Sequence, residues 1–357
     1  MYTSWRGIVT CALWLSACGE SDQPRPAVDS GNQSSDARAV DAALDAIPID
    51  APPLQFQSCG GLQTQCGVTF SESCCTWYGV PGGQFFRSFD RAADELSGRE
   101  NFPATISSFR LDKFEVTVGR FRQFVNRGLA TQRTPPLPGT GAHKTPASGW
   151  DPSWNTNLAP NKESLAVLLK CVPELATWTD VEGTNERQPI NCVTWYEAMA
   201  FCAWDGGYLP TEAEWNYAAA GGSEQRAYPW SIPPGSLTID RLHASYDPSN
   251  GGGGCVGDEL PGCDLNDLVV VGDKAVGDGR WGHSSLAGNV AEWTLDYFAT
   301  YDPSDCTDCI DLSPTMYRVV RGGGFINGAV QLRSGTRTAA PPETRSYFFG
   351  FRCARAK

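Results

Sequence analysis

The chain has 357 residues, with 38 Gly, 25 Pro and a hydrophobic fraction of 41%, which is enough apolar material for one large domain or two small ones. The glycines and prolines, together with 12 Trp, 11 Tyr and 16 Phe, favour a loop-rich fold held by aromatic side chains and argue against a helical bundle. Forty acidic residues against 28 basic ones give a net charge of -12, which argues against nucleic acid as a partner because like charges repel at long range.

The first 18 residues have the pattern of an export signal. Arg6 is the only charge before an apolar run from Gly7 to Leu15, which is too short for a membrane span of about 20 apolar residues. The tetrapeptide that ends at Cys18, Leu-Ser-Ala-Cys, resembles the lipobox of bacterial lipoproteins, in which the cysteine is acylated and becomes the new N-terminus. We therefore predict a signal peptide over residues 1–18, lipidation at Cys18 and an exported lipoprotein anchored to a membrane of the bacterial cell envelope. An ordinary cleaved signal is the alternative.

Residues 19–57 form a polar, acidic stretch with seven acidic and two basic residues and no aromatic residue before Phe56. Such a composition buries too little apolar surface to offset the entropy of ordering the chain. We predict a disordered linker that holds the folded region away from the membrane.

Fourteen cysteines are present, of which Cys11 leaves with the signal and Cys18 carries the lipid. The remaining twelve, an even number in an exported domain, favour up to six disulfides, whose pairing the spacing does not reveal. Cys306 and Cys309 form a C-x-x-C motif, which is compatible with a redox pair or half of a soft-metal site. No second C-x-x-C completes a zinc site, so we favour a structural crosslink.

The folded region begins with a Cys-rich lead-in over residues 58–80, and the main domain is predicted over 81–357. The segment 79–90 contains a Gly-Gly pair between apolar residues and predicts a short strand pair around a tight turn. Thr117 is a candidate cap for a helix with three apolar residues on one face, Phe121, Phe124 and Val125.

Two more helices are predicted after Thr194 and Thr211, the second with a capping-box pattern because Glu214 follows its cap by three residues. The C-terminal part contains three strand-like segments, at 317–325, 330–339 and 347–354. Most of residues 228–282 has no regular pattern. We predict an α+β fold, a single compact domain that is low in regular secondary structure.

Six segments in this order carry a family resemblance: DKFEVTVGRFRQFV, PINCVTWYEAMAFCAWDGGYLPTEAEWNYAAAGG, YPW, LAGNVAEWTLD, RVVRGGGF and GFRCA. The series resembles the formylglycine-generating enzyme family, also called the sulfatase-modifying factor family. The resemblance implies a C-type-lectin-like fold, stabilised by calcium and often by disulfides. The family's founding activity oxidises a cysteine of a sulfatase peptide to formylglycine with molecular oxygen and copper.

The chain departs from the family where copper would bind. The family activity uses two cysteines shortly after an R-G-G-S strand, because thiolates are soft donors that hold Cu(I). Here the stretch from Arg321 to Arg337 contains no cysteine, and Gly324 stands in place of the serine. We therefore do not expect copper as a cofactor, and whether the chain is an enzyme stays open. The resemblance leaves four groove candidates, Gly324, Asn327, Arg333 and Arg337, of which the last either lines a peptide groove or pairs with a buried acid.

The resemblance also implies a calcium loop and a disulfide. The calcium ligands would come from Ser285, Gly288, Val290 and Glu292, although Glu292 has the alternative role of pairing with an arginine. A second calcium site is expected near the acidic residues Asp264, Asp267, Asp273 and Asp278. The disulfide implied by the resemblance joins Cys202 to Cys353.

Two functions follow from this scaffold. The first is a surface-tethered, non-catalytic domain that binds a peptide, glycan or protein in the family's groove, with Trp150, Trp154 and Trp281 as candidate recognition residues. A place in the buried aromatic core is the alternative role for each of these tryptophans. The second is a formylglycine-generating-type oxidase that acts on a protein cysteine, with Cys306 and Cys309 as relocated copper ligands.

Overall fold

The computed structural model describes residues 56–62, 64–91 and 101–357. The predicted signal peptide, Cys18 and the predicted linker up to residue 55 lie outside the described residues. Phe56 and Gln57, which we assigned to the linker, lie at the start of the folded region, because Phe56 is buried and packs against the guanidinium of an arginine from the last strand. Within the described ranges, no helix is long and apolar enough to cross a membrane.

The described residues contain four α-helices and twelve short strands in a mixed α+β order, as predicted from the sequence. The helices are α1 (Val118–Asn126), α2 (Lys162–Leu168), α3 (Trp195–Trp204) and α4 (Glu212–Ala219). The strands are β1 (Gln65–Cys66), β2 (Glu72–Ser73), β3 (Trp77–Val80), β4 (Gly83–Phe86), β5 (Pro103–Ile106), β6 (Phe109–Asp112), β7 (Ala291–Tyr297), β8 (Cys306–Thr307), β9 (Arg318–Arg321), β10 (Thr338–Ala340), β11 (Phe349–Gly350) and β12 (Ala354–Ala356). Helix α2 was not predicted.

The strands form four small sheets with the orders β1-β2, β10-β9-β7-β11, β12-β6-β3 and β4-β5-β8. Most pairs are antiparallel, but β11 pairs with β7, and β8 with β5, in parallel. Strand β12 pairs with β6, with Ala354 opposite Leu111. Because β3 of the lead-in and the C-terminal β12 share a sheet, the Cys-rich lead-in is part of the same fold.

The predicted hairpin over residues 79–90 is wrong. Strands β3 and β4 both form, but β3 pairs with β6 and β4 pairs with β5, so they lie in different sheets. The reason is a close approach at Gly82, where a Cβ atom would lie 2.5 Å from the carbonyl oxygen of Ile106. The two glycines carry the chain past a neighbouring strand instead of turning it back on itself.

The three predicted helix starts are confirmed. The Thr117 hydroxyl accepts a hydrogen bond from the backbone N–H of Arg120, and Thr194 and Thr211 each form a reciprocal capping box with the Glu three residues later. Such caps satisfy backbone N–H groups that the first turn of a helix leaves unpaired.

The predicted strand at residues 330–339 is largely wrong. Ala329–Leu332 form a 3₁₀ turn, and strand β10 begins only at Thr338. The side chain of Leu332 is fully buried, which requires the chain to turn inward here rather than to continue as an extended strand.

The largest cluster of buried residues packs α1 and α3 against β7 and the C-terminal strands. The rings of Phe121 and Phe201 stack with 5.6 Å between their centres, and Trp293 of β7 is fully buried. Helix α4 contributes Trp215 to a second cluster with β5 and β6. This aromatic packing fixes β7 and the start of α4, on which the candidate site is built.

All twelve cysteines from Cys59 onward form disulfides. The pairs are Cys59–Cys75, Cys66–Cys74, Cys171–Cys192, Cys202–Cys353, Cys255–Cys263 and Cys306–Cys309. The expected number of six and the Cys202–Cys353 pair are both present.

Candidate binding site

A cavity of about 640 Å³ lies between the first turn of α4, strand β7 and the loop that follows this strand. Glu212 is the first residue of α4, Asp296 lies in β7, and Arg337 directly precedes β10. The charged residues that line the cavity are Arg87, Glu212, Asp296, Asp302, Asp305, Asp311 and Arg337.

One wall of the cavity is a buried ion-pair network centred on Glu212. Arg337 donates from Nε to Oε1 over 2.6 Å and from Nη2 to Oε2 over 2.8 Å. Arg321 Nη2 lies 2.7 Å from Oε1. Burial by itself would raise the pKa of Glu212, but Arg321 and Arg337 outweigh it and lower the pKa below its usual value. Glu212 is therefore a carboxylate at neutral pH.

Tyr301 completes this network. Its hydroxyl accepts a hydrogen bond of 2.8 Å from Arg321, and the guanidinium carbons of Arg337 and Arg87 lie 3.9 and 4.6 Å from the centre of its ring. Burial, followed by the charge of Glu212, raises the pKa of Tyr301 to about 12. The phenol therefore keeps its proton and acts as a packing surface for the two guanidinium groups.

Asp296 is a second acid of the cavity with a different environment. Its Oδ2 accepts from the backbone N–H of Glu212 over 2.7 Å, and its Oδ1 accepts from the N–H of Asp311 over 2.8 Å. Burial, followed by the charge of Glu212, raises the pKa of Asp296 to about 7. The group therefore exchanges its proton close to neutral pH.

The rim of the cavity is acidic. Asp302 and Asp305 are exposed, and Asp311 is half-buried. The lining has five acidic side chains against two arginines, and Arg321 behind Glu212 adds a third guanidinium. All three guanidinium groups lie against the inner wall, with Arg321 and Arg337 on Glu212 and Arg87 on the carbonyl oxygen of Asp302. The uncompensated charge at the opening is therefore negative.

The four predicted groove residues do not come together around this cavity. Only Arg337 lines it, and its ion pair with a buried acid is the second of the two roles left open by the sequence. Arg333 pairs with Asp90 over 3.1 Å. Gly324 donates its backbone N–H to Oδ1 of Asn327 over 2.8 Å.

Gly324 lies in a position with little room for a side chain. A Cβ atom there would lie 3.0 Å from both the Cβ and the carbonyl oxygen of Phe348. A serine at this position would therefore press on Phe348 in this fold.

The C-x-x-C motif lies at the wall of the cavity, because Cys306 and Cys309 are both among its lining residues. They are joined to each other by a disulfide. Both cysteines are half-buried, whereas every other disulfide of the described residues has at least one buried cysteine. The oxidised pair has no thiolate with which to hold a metal ion.

The predicted calcium loop leads into β7, where both carboxylate oxygens of Glu292 are engaged. Arg352 donates from Nε and Nη2 to this carboxylate over 2.7 to 2.9 Å, and Trp215 donates its indole N–H to Oε2 over 2.9 Å. This is the arginine pairing considered as the alternative role of Glu292. The set Ser285, Gly288, Val290 and Glu292 does not fit a calcium ion while Arg352 holds the carboxylate, and the calcium site stays a prediction.

Three of the four acids expected near a second calcium site are engaged separately. Asp264 caps a short 3₁₀ turn, the Asp267 carboxylate accepts from the backbone N–H of Gly257, and Asp273 pairs with the neighbouring lysine. The remaining acid, Asp278, is half-buried.

In the part of the chain that the structure describes, one group of three possible metal ligands has its donor atoms within 4.8 Å of one another: Asp247, Cys255 and Cys263. Its two cysteines form a disulfide, so the group does not offer thiolates.

The three tryptophans proposed for recognition are not exposed. Trp150 is buried and donates its indole N–H to Asn155. Trp154 and Trp281 are half-buried, and Trp281 stacks on Tyr217. These rings support the fold, which was the alternative role for each of them.

Residues 71–357 match the sequence profile of the Sulfatase-modifying factor enzyme 1-like domain. The chain belongs to the sulfatase-modifying factor family. The match begins in the Cys-rich lead-in and runs through the last strand, so it includes α4, β7, β9 and β10, which surround the cavity.

Similar proteins include ones named as formylglycine-generating enzymes and one named as inactive. The chain is 27% identical over 305 residues to the formylglycine-generating enzyme of Mus musculus, with 77% of this chain and 73% of that protein covered. It is 27% identical over 304 residues to the formylglycine-generating enzyme of Thermomonospora curvata, with 77% and 91% covered. It is equally 27% identical, over 316 residues, to the "Inactive C-alpha-formylglycine-generating enzyme 2" of Mus musculus, with 77% and 84% covered.

One solved structure that superposes on this chain is Treponema denticola variable protein 1. The TM-score is 0.47 at 20% identity, with 79% of this chain and 95% of that one covered. PvdO from Pseudomonas aeruginosa superposes with a TM-score of 0.45 at 20% identity, covering 79% and 94%.

Most of this site carries no signal in the sequence. The sequence places Glu212 at the start of a helix but does not reveal its ion-pair partner, because Arg337 lies 125 residues further along the chain. Asp296 and Tyr301 had no local signal, because their environment is created by long-range packing. The C-x-x-C motif was recognised, but its position at a cavity wall was not.

Proposed function

We propose that the protein is a surface-tethered, non-catalytic binding domain of the sulfatase-modifying factor family, and that it binds a basic peptide segment in the cavity beside Arg337. The observation that carries the proposal is the state of the cysteines. Thiolates are the donors that hold Cu(I), and the twelve cysteines from Cys59 onward are all held in disulfides. What remains at the site is an open cavity with charged walls.

The charge of the cavity supports a basic ligand. Its rim carries Asp302, Asp305 and Asp311, while Arg337 and Arg321 share the Glu212 carboxylate deeper in the wall. A lysine or arginine side chain of an extended peptide would gain a carboxylate partner at this rim, and an acidic peptide would be repelled. A volume of about 640 Å³ falls in the range of about 300–1,000 Å³ that is typical of ligand sites.

The tether is supported by the N-terminal sequence. Cys18 follows a short apolar segment in a lipobox-like context, and the acidic residues 19–55 provide a long spacer before the first described residue. A lipid anchor would hold the binding domain at the surface of a membrane of the cell envelope.

The experiment is a binding titration with two synthetic peptides of equal length, one with alternating Lys and Gly and one with alternating Glu and Gly. We expect saturable binding of the lysine peptide, measured by calorimetry, and no binding of the glutamate peptide. The double variant Asp302→Asn/Asp305→Asn should weaken the binding by about tenfold, since each exposed ion pair is worth up to about 1 kcal/mol.

The matched control is Glu174→Gln/Glu182→Gln, which removes the same charge from exposed positions that do not line the cavity. Equal weakening of binding in both double variants would indicate a general effect of the net charge. It would contradict the proposal that the lysine peptide binds in the cavity. Absence of binding of either peptide would overturn the choice of ligand class.

The second candidate function is a formylglycine-generating-type oxidase acting on a protein cysteine, with Cys306 and Cys309 as copper ligands. It is favoured by one observation, the position of this pair at the cavity wall. The pair would have to be reduced before it could hold Cu(I). Incubation of the selectively reduced protein with copper, oxygen and a cysteine peptide decides the matter by mass spectrometry. We expect no formylglycine, and its formation would replace the binding proposal with this one.

A further inference from the structure

Arg318, the first residue of β9, differs from the other arginines of the core. Four arginine side chains are among the largest fully buried ones: Arg120, Arg318, Arg321 and Arg352. Three of them lie 2.7 to 2.8 Å from a carboxylate oxygen. Arg318 has no carboxylate partner among the described residues.

The guanidinium of Arg318 is also short of hydrogen bonds. Its Nη1 donates to the carbonyl oxygen of Leu295 over 2.7 Å, and its Nε is buried with no acceptor in the described part of the chain. An arginine carries five N–H donors in a planar fork. Most of the donor capacity of Arg318 is therefore unused.

Aromatic rings hold this guanidinium in place. Its central carbon lies 3.4 Å from the ring centre of Tyr297 and 3.6 Å from that of Trp195, with the ring of Trp154 at 5.6 Å. Stacking on aromatic faces fixes the plane of the guanidinium group. A ligand then meets the N–H donors along the edge of that plane. The orientation is thus set before any ligand binds.

A cavity of about 320 Å³ adjoins this arginine. Arg318, Trp154 and Tyr297 line it together with two serines, Ser148 and Ser153. The volume is sufficient for a carboxylate, phosphate or sulfate group together with part of the molecule that carries it. This cavity adjoins the acidic one at Leu312, which lines both, but the charged residues of the two linings are different.

The acidic groups near Arg318 do not neutralise it. Asp151 lines the cavity but is exposed, and its Oδ1 accepts from the backbone N–H of Ser153 over 2.8 Å. Asp296 is engaged by two backbone N–H groups, and its pKa is raised to about 7 by burial and then by a neighbouring carboxylate. The other titratable neighbours are two tyrosines, at positions 196 and 297, and a phenol ordinarily carries no charge at physiological pH.

The charge of Arg318 persists in this environment. Burial lowers its pKa to about 10, which leaves the guanidinium protonated at neutral pH. A buried charge without a counter-ion is unfavourable, and an anion that reaches it gains charge-assisted hydrogen bonds.

We propose that the cavity at Arg318 binds an oxyanion group, which the free N–H donors of the guanidinium hold while the rings of Trp195 and Tyr297 keep the fork in position. The site would recognise the carboxylate, phosphate or sulfate group of a larger ligand. It does not rest on the binding proposed at the acidic cavity, because its charged lining residues and the charge of its ligand are different.

The test follows tryptophan fluorescence while acetate, inorganic phosphate or sulfate replaces chloride at constant ionic strength, since Trp195 and Trp154 lie against the site. We expect a saturable change in the wild-type protein and its loss in Arg318→Met. Arg318→Lys should bind at least about tenfold more weakly, because an ammonium group lacks the planar fork. The anion that binds most tightly separates a carboxylate-bearing ligand from a phosphate- or sulfate-bearing one.

The matched control is Arg241→Met, which removes an exposed guanidinium that does not line this cavity and should leave the titration unchanged. Equal affinities in Arg318→Met and Arg241→Met would overturn the proposal, as would a wild-type protein that responds to none of the three anions. Should Arg318→Met fail to fold, thermal unfolding of the wild-type protein decides. The oxyanion that binds must raise its melting temperature relative to chloride in a saturable way at millimolar concentration, unlike the general stabilisation by concentrated sulfate or phosphate. The absence of a saturable rise with all three anions overturns the site.

Discussion

Arg337 and Glu212 form a two-point ion pair at the wall of the acidic cavity, with the guanidinium Nε and Nη2 atoms 2.6 and 2.8 Å from the two carboxylate oxygens. Arg337 therefore forms its ion pair within the fold, although the residue lines the cavity. This pairing explains why a cavity with an arginine in its wall still presents a negative rim.

Replacing Glu212 by Gln is expected to destabilise the protein strongly. The change leaves Arg321 and Arg337 without their carboxylate, and breaking a buried pair by removing one partner typically costs about 3–5 kcal/mol. Urea unfolding followed by circular dichroism measures the effect. A loss below about 1 kcal/mol would mean that the pair contributes no more than an exposed one.

The stability of the protein should fall as the pH rises through the neutral range, because of Glu115. Burial raises the pKa of this carboxyl group from 4.5 to about 8 in the folded protein. The folded state then binds more protons than the unfolded state between these two pKa values. The stabilisation of the folded state by the protonated carboxyl group is therefore full below pH 4.5 and is lost as the pH rises through about 8.

The variant Glu115→Gln tests this origin, since Gln resembles the protonated acid. Its unfolding free energy should depend less on pH between about 5 and 8 than that of the wild type. Glu163→Gln, at an exposed position, is the control and should keep the wild-type dependence. An unchanged pH profile in Glu115→Gln would contradict the assignment.

The Cys306–Cys309 disulfide should contribute less stability than Cys202–Cys353. The two bonds span sequence separations of 3 and 151 residues, for which the chain-entropy relation gives about 2 and about 5 kcal/mol. Double Ser substitutions of each pair, compared by urea unfolding, measure the difference. Equal losses of stability in the two double variants would contradict this ranking.

The same short disulfide should also be reduced first, because both of its cysteines are half-buried. Mild reduction, alkylation and peptide mapping by mass spectrometry give the order of reduction. Earlier labelling of Cys202 or Cys353 would be incompatible with the packing described above.

Calcium bound at the predicted loop is expected to add little to the melting temperature. The carboxylate that the predicted loop would offer, that of Glu292, is neutralised by Arg352. Thermal unfolding in excess chelator and in excess calcium, with magnesium as the ionic control, measures the effect. A rise specific to calcium would restore the site inferred from the family resemblance.

Local signals predicted the parts of the fold that depend on neighbours in sequence. Thr194 and Thr211 cap their helices as expected, because a capping box needs only residues three positions apart. The pairing of β3 and β4 with other strands was not predictable from residues 79–90, since their partners come from a later segment.

The family resemblance predicted the fold and the Cys202–Cys353 disulfide, but it did not reveal the cavity. Glu212 and Arg337 meet only in the folded chain, and the buried position of Arg318 depends on rings from α3 and β7. Conversely, Gly324 and Arg333 were assigned to a groove from their place in a motif, and packing assigns them to other contacts.

The central claim is that no pair of free thiols is available to hold copper in this domain. Thiol titration of the unreduced protein under denaturing conditions, combined with titration of Cu(I), tests it most directly. The account predicts no titratable thiol from Cys59 onward and no stoichiometric Cu(I) binding. Two reactive thiols together with tight binding of one Cu(I) ion per chain would contradict it.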